Sequence, residues 1–217
     1  MCIRVLLVDD HKMVRDGLRA LLGGAPDIEV VGDVRDGRTA LDLIRSLAPD
    51  VVVMDVGLPE LSGVETTRHI RSEHERVNVI ALSAHADERF VHRMLDAGAC
   101  GYVVKAAAHD ELLRAVRAAS EGETFLSPEI AGLVVGRSKN PDGEWASSAY
   151  SVLGAREREV LQLVAEGKTS AETAAQMHIS INTVETHRRN IIQKLGLHGT
   201  AELTKYALRQ GLTSLDL

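Results

Sequence analysis

The chain has 217 residues, of which 45% are apolar and 26% charged, and it carries a net charge of −6 at neutral pH. Aromatics are only 3%, so aliphatic side chains must build its cores. No apolar run approaches the roughly 20 residues that cross a bilayer, and the two cysteines, Cys2 and Cys100, match no metal spacing. The reading is therefore a protein of a reducing cytoplasm with no membrane contact. The charge is uneven: residues 1–121 are net −5, 122–150 net −2 and 151–217 net +1. Any nucleic-acid footprint must come from local clustering in the last segment.

The first apolar run, Ile3–Val8, ends in Asp9-Asp10 and reads as a buried strand rather than a signal peptide. Further short aliphatic runs follow at Ile28–Val31, Val51–Met54, Val77–Leu82 and Gly101–Val104. They are mostly continuous rather than alternating, which suits strands of a parallel sheet covered on both faces. Between them lie helical spacings: Val14, Leu18, Leu21 and Leu22; Leu41, Ile44 and Leu47; Leu112, Leu113 and Val116. Five βα units in about 120 residues predict a doubly wound α/β fold, flavodoxin-like with strand order 2-1-3-4-5 over residues 1–121.

Residues 122–150 change character. Ser127-Pro128 can open a short helix, with Ser127 as N-cap. Ser138–Glu144 is rich in turn formers and reads as an interdomain linker. From Arg156 onward the pattern is purely helical, with Gly167 and Gly196 as helix stops. A short helix to about Met177, a turn through His178–Ile181 and a longer helix from Asn182 to Leu195 predict a helix-turn-helix. Asn182 can cap the second helix, with Ser180 as the alternative.

In the predicted sheet order, Asp9, Asp10 and Asp55 meet at the carboxyl edge, where such sheets bind ligands. Clustered carboxylates repel unless a cation neutralises them, and oxygen ligands suit a hard ion, Mg²⁺ above all. Ser83 brings a hydroxyl and Lys105 an ammonium from the next strand ends. That set suits phosphoryl transfer onto a carboxylate. The motifs Val8-Asp9-Asp10-His11, Met54-Asp55-Val56-Gly57-Leu58-Pro59 with Gly63, Leu82-Ser83-Ala84 and Gly101-Tyr102-Val103-Val104-Lys105 resemble the receiver domain of two-component response regulators. The resemblance implies that Asp55 accepts a phosphoryl group from a sensor histidine kinase. It implies Mg²⁺ on Asp10, Asp55 and the Gly57 carbonyl, with Asp9 acting through water. Ser83 and Ala84 would meet the phosphoryl group, Tyr102 would follow Ser83 inward, and Gly57 and His85 would tune the phosphoryl lifetime.

Leu153–Leu161, Ala165–Lys168, Thr173–Ser180, Thr183–Ile191 and Lys194-Leu195-Gly196 resemble the four-helix LuxR-type DNA-binding domain in the NarL/FixJ arrangement. Helical spacing puts Val184, His187, Ile191 and Leu195 on an inward stripe, His187 as a core histidine. Thr186, Arg189 and Gln193 point the opposite way with Glu185 beside them, so that Arg189 can address guanine and Glu185 cytosine. Glu185 can instead close a capping box with Asn182. Arg188 and Lys194 lie off this face and suit phosphates. The last helix, about Thr200 to Gln210, would form a homodimer contact by the same resemblance.

The combined reading is a non-enzymatic response regulator whose phosphorylation controls binding to promoter DNA. An enzyme using Asp55 on free substrates would lack an acid two residues on, where Gly57 stands. A phosphorylation-dependent protein adaptor without DNA output is the other alternative, supported by the weak +1 charge of residues 151–217.

Overall fold

Six residues, Ile3–Val8, form the first strand, β1, and its last four side chains are buried. The computed structural model describes residues 2–84, 86–137, 152–197 and 199–209, which separate into two units, each described by itself. The predicted linker Ser138–Glu144 lies outside the described residues, as does His85.

In the first unit β1 is followed by α1 (Lys12–Gly23), β2 (Ile28–Val34), α2 (Gly37–Leu47), β3 (Val51–Asp55) and α3 (Gly63–Glu73). Then come β4 (Asn78–Ser83), α4 (Glu88–Asp96), β5 (Gly101–Val104), α5 (Ala108–Ser120), β6 (Phe125–Leu126) and α6 (Pro128–Arg137). The sheet is parallel, in the order β2-β1-β3-β4-β5-β6. The predicted order 2-1-3-4-5 is thus present with one strand added. The continuous apolar runs have the predicted cause. Val5, Leu7, Val51, Val53, Ile80, Leu82 and Val103 pack with Leu18 and Leu22 of α1 and Leu112, Ala115 and Val116 of α5. The alternate residues Leu6, Val52, Met54, Val79, Ala81 and Tyr102 are buried too, and the two-residue period places them on the opposite face.

The strands depart from the apolar runs in several places, β3 also reaching one residue further, to Asp55. β2 runs to Val34, three residues past Val31, through Gly32 and Asp33. Asp33 tolerates a strand position because Arg15 and Arg19 of α1 pair with it. β4 begins at Asn78, whose side-chain amide donates to the Ala119 carbonyl at 2.8 Å, and it ends on Ser83. β6 is two residues long, too short for any periodicity to mark it. With it, part of the segment expected to link the units, Phe125–Arg137, docks on the first unit, where β6 pairs with β5 and Ile130 of α6 is fully buried.

The second unit holds α7 (Ala155–Ala165), α8 (Ser170–Met177), α9 (Ile181–Leu195) and α10 (Thr200–Arg209). Leu161, Leu163, Ala174, Met177, Val184, Ile191, Leu203 and Ala207 form its core. Thr169 opens α8 with a capping box to Glu172. His178 ends α8 in the left-handed region (φ 54), and Gly196 ends α9 there (φ 64). Ser180, not Asn182, caps α9: its side chain accepts from the Thr183 N–H at 3.1 Å. No helix among the described residues is long and apolar enough to cross a membrane.

Candidate functional site

Hydrogen-bonded pairing of β1 with β3, and of β3 with β4, sets the ends of these strands side by side. Asp9 and Asp55 are thereby buried at 1% and 5% exposure, with Asp10 beside them in the open. The β3 end is shaped by Gly63, where a Cβ would lie 2.0 Å from the Asp55 carbonyl oxygen. Only a glycine permits that approach of α3 to the strand end.

Lys105 enters from the end of β5. Its Nζ stands 2.7 Å from Asp9 Oδ2 and 3.0 Å from Asp55 Oδ2. The other Asp55 oxygen accepts from the Gly57 N–H at 3.2 Å. Burial pushes the Asp55 carboxyl above its usual range, and the Asp9 charge adds to this against the opposing pull of Lys105. Burial alone would lower the Lys105 ammonium, but the carboxylates of Asp55 and Asp9 outweigh it and hold it above its ordinary value. One cation thus serves two buried anions.

Asp9, Asp10, His11 and Asp55 each present one ligand atom within 4.8 Å of the others. Asp9 Oδ2 is buried and faces the Lys105 ammonium. Three carboxylates gathered at one edge, two of them buried, fit a hard divalent cation. The motif residue His11 lies against both acids. Its Nδ1 lies 2.7 Å from Asp10 Oδ1, and its backbone N–H donates to Asp9 Oδ1 at 2.8 Å. Arg15 further steadies the loop by donating to the Asp9 carbonyl at 2.6 Å.

Ser83 is buried at the end of β4, and Ala84 follows in the open. Tyr102 is fully buried on β5 and hydrogen-bonds the Ser83 side chain; burial pushes its hydroxyl up to about 12. The residue expected to move inward after Ser83 is inside and joined to it in this structure.

In the second unit Val184 and Ile191 are buried on α9, and His187 and Leu195 are partly buried. Glu185, Thr186, Arg189, Gln193 and Lys194 are exposed. The capping box between Asn182 and Glu185 does not form, because Ser180 takes the cap. Glu185 instead accepts a hydrogen bond from the Ser170 hydroxyl of α8. Arg188 Nη1 donates to Ser170 Oγ at 2.6 Å and to Glu185 at 3.3 Å. Lys194 pairs with Glu157 of α7 at 2.7 Å. Both cations assigned to phosphates are therefore engaged within the unit, joining neighbouring helices. Nothing in the sequence marks Ser170 as the partner of Arg188 and Glu185 except its place at the first position of α8. Leu203 and Ala207 of the last helix lie in the unit's own core.

A parallel sheet bearing buried carboxylates and a lysine at its carboxyl edge, followed by a helix-turn-helix, defines a phosphoacceptor joined to a DNA-binding output. Residues 5–117 match the family described as response regulator receiver domain, and residues 151–207 match bacterial regulatory proteins of the luxR family. The chain belongs to the response regulators that join these two domains, in the NarL/FixJ arrangement. It is similar to the transcriptional regulatory protein LiaR of Bacillus subtilis (strain 168), with 41% identity covering 98% of this chain and 100% of LiaR. It is similar in structure to the response regulator ChrA of a heme-sensing two-component system, at TM-score 0.53 and 35% identity, covering 97% of this chain and 98% of ChrA. A complex of the response regulator RcsB with DNA matches at TM-score 0.60 and 25% identity, covering 95% and 98% of the two chains.

Proposed function

We propose that Asp55 accepts a phosphoryl group from a sensor histidine kinase and thereby controls promoter binding by residues 151–217. The observation that carries this reading is Lys105 Nζ, within 3.0 Å of Asp55 and 2.7 Å of Asp9 at neighbouring strand ends. The domain division is receiver in 1–121, short helix and linker in 122–150, and DNA-binding domain in 151–217. The chain's DNA, its kinase and its place in the cytoplasm follow from this reading, which its likeness to the transcriptional regulatory protein LiaR and to RcsB in its DNA complex supports.

In the transfer, one Asp55 carboxylate oxygen bonds to phosphorus while the phosphorus–nitrogen bond of a phosphohistidine breaks. The electron pair returns to the donor imidazole, which keeps a proton once it leaves. Lys105 moves from two carboxylates to balance the added phosphoryl charge. Ser83 and the backbone around Ala84 supply hydrogen-bond groups to the phosphoryl oxygens, and the Ser83–Tyr102 bond passes the change to β5. Asp10, Asp55 and the Gly57 carbonyl would hold Mg²⁺, with Asp9 behind them. The ion would neutralise phosphoryl oxygens as charge builds.

On the output side Arg189 reads a guanine, with Thr186 and Gln193 beside it and Glu185 held by Ser170. Arg188 and Lys194 reach phosphates only by leaving their present partners. Two copies on paired half-sites would complete the recognition, by analogy with the helix-turn-helix class. Acetyl phosphate with Mg²⁺ should label Asp55 and change DNA footprints, and Asp55→Asn should abolish both. Sustained turnover of free phosphorylated metabolites would instead support an enzyme.

A further inference from the structure

Ser127 is 1% exposed and makes bonds in two directions. Toward β5, its N–H donates to the Tyr102 carbonyl at 3.0 Å, and its hydroxyl oxygen accepts from the Val104 N–H at 3.3 Å. Toward α6, its carbonyl accepts from the N–H groups of Ile130 and Ala131 at 2.8 and 3.0 Å, opening the helix. The hydroxyl proton goes to Glu111 of α5, itself buried. The side chain expected to cap α6 is thus turned to β5 and α5.

Two further ties hold the same segment. Phe125 of β6 pairs with Gly101, and Arg114 of α5, one helical turn after Glu111, sets its guanidinium 5.6 Å from the Phe125 ring centroid. α6 packs against α4 and buries Ile130. Val104 precedes Lys105, which contacts Asp55, and Tyr102 is bonded to Ser83. A chain of bonded groups therefore runs from Asp55 through Lys105 and the Val104 peptide to Ser127 and α6.

We infer that Ser127 is a positioning residue that ties the switch end of β5 to α6, so that a change at Asp55 is passed to α6 and the chain leading from it. The inference rests on Asp55 as the phosphoacceptor. A contiguous path is by itself only a route; coupling requires that α6 respond to the state of Asp55. Ser127→Ala removes both hydroxyl bonds and leaves the Glu111 carboxylate without that donor, while Asp55, Lys105 and the acidic pocket are untouched. Ser127→Thr keeps a hydroxyl.

The test is hydrogen exchange of the full chain, read by mass spectrometry over residues 128–137, with and without acetyl phosphate and Mg²⁺. Intact mass in the same samples reports phosphoryl occupancy of Asp55. In the wild type, exchange in 128–137 changes when Asp55 is labelled. In Ser127→Ala, labelled to the same extent, that response is lost, and Ser127→Thr regains it. A merely structural role would raise exchange in 128–137 equally with and without donor and leave the response intact, which overturns the inference. So does a labelled wild-type chain with no change in 128–137, an arm independent of any variant. Failure to label Asp55 in the wild type would count against the phosphoacceptor reading instead.

Discussion

Lys105 shows how much one side chain carries. Removing it as Lys105→Ala leaves Asp9 and Asp55 facing each other without their shared cation, at a cost of up to about 3 kcal/mol for a broken buried pair. Thermal melts should show the loss without Mg²⁺ and a partial recovery with it. A bound cation stabilises by mass action, about 2.7 kcal/mol at a hundred times its Kd. A Mg²⁺-dependent rise in Tm is expected for the wild type and should disappear in Asp10→Ala; an equal rise in both would remove Asp10 from the metal set. Gly63→Ala places a methyl against the Asp55 carbonyl oxygen and should cost about 1–3 kcal/mol, with slower labelling of Asp55. In the second unit, burial pushes Glu157 up, but the Lys194 ammonium at 2.7 Å and the Gly154 N–H outweigh it, so its pKa lies below the ordinary 4.5. Its unfolded form binds the proton more tightly, so its stabilisation is present above pH 4.5 and fades as pH falls through the lower, folded value. The difference in unfolding free energy between wild type and Glu157→Gln, about 1–3 kcal/mol at pH 7, should therefore close on acidification. A gap constant down to pH 3 would contradict the pairing.

At the scale of elements, the sequence was most legible where one physical cause dominated. Continuous apolar runs marked five strands because both faces of the sheet are buried, and β1 and β5 begin and end where the runs do. The three acids and Lys105 were legible because strand ends, not distant loops, deliver them. Local spacing could not show β6, whose two residues pair with β5 and whose Phe125 lies beneath Arg114 of α5. Nor could it choose the cap of α9: Ser180 and Asn182 both carry an oxygen that can accept from the first turn, and the helix opens one residue before Asn182, at Ile181, which leaves the cap to Ser180. The partners of Arg188 and Lys194 depend on how α7 and α8 pack against α9, which no single-helix pattern encodes. The inward and outward faces of α9 should separate in mutation. Ile191→Ala, from the core, should cost about 2–5 kcal/mol by denaturant unfolding. Arg189→Ala, on the exposed face, should leave stability within about 0.5 kcal/mol. It should weaken DNA binding by about 1–3 kcal/mol and relax preference at one base pair.

For the whole molecule, a net charge of −6 and a DNA-binding output are compatible because the acidic excess sits in the first 150 residues. The acids that make the chain anionic include those that build the phosphoacceptor pocket. With Arg188 and Lys194 paired inside the unit, each phosphate contact they make breaks an internal pair, so the salt dependence of DNA binding should be shallower than their charge alone implies. Asp55 is the residue on which phosphorylation and DNA output both depend. The direct measurement is peptide mapping by mass spectrometry after acetyl phosphate and Mg²⁺, paired with genomic footprinting of the same preparations. The account predicts a single phosphoryl group on Asp55 and footprints that change with it. A phosphoryl group on another residue with Asp55 bare, or footprints indifferent to its occupancy, would contradict it.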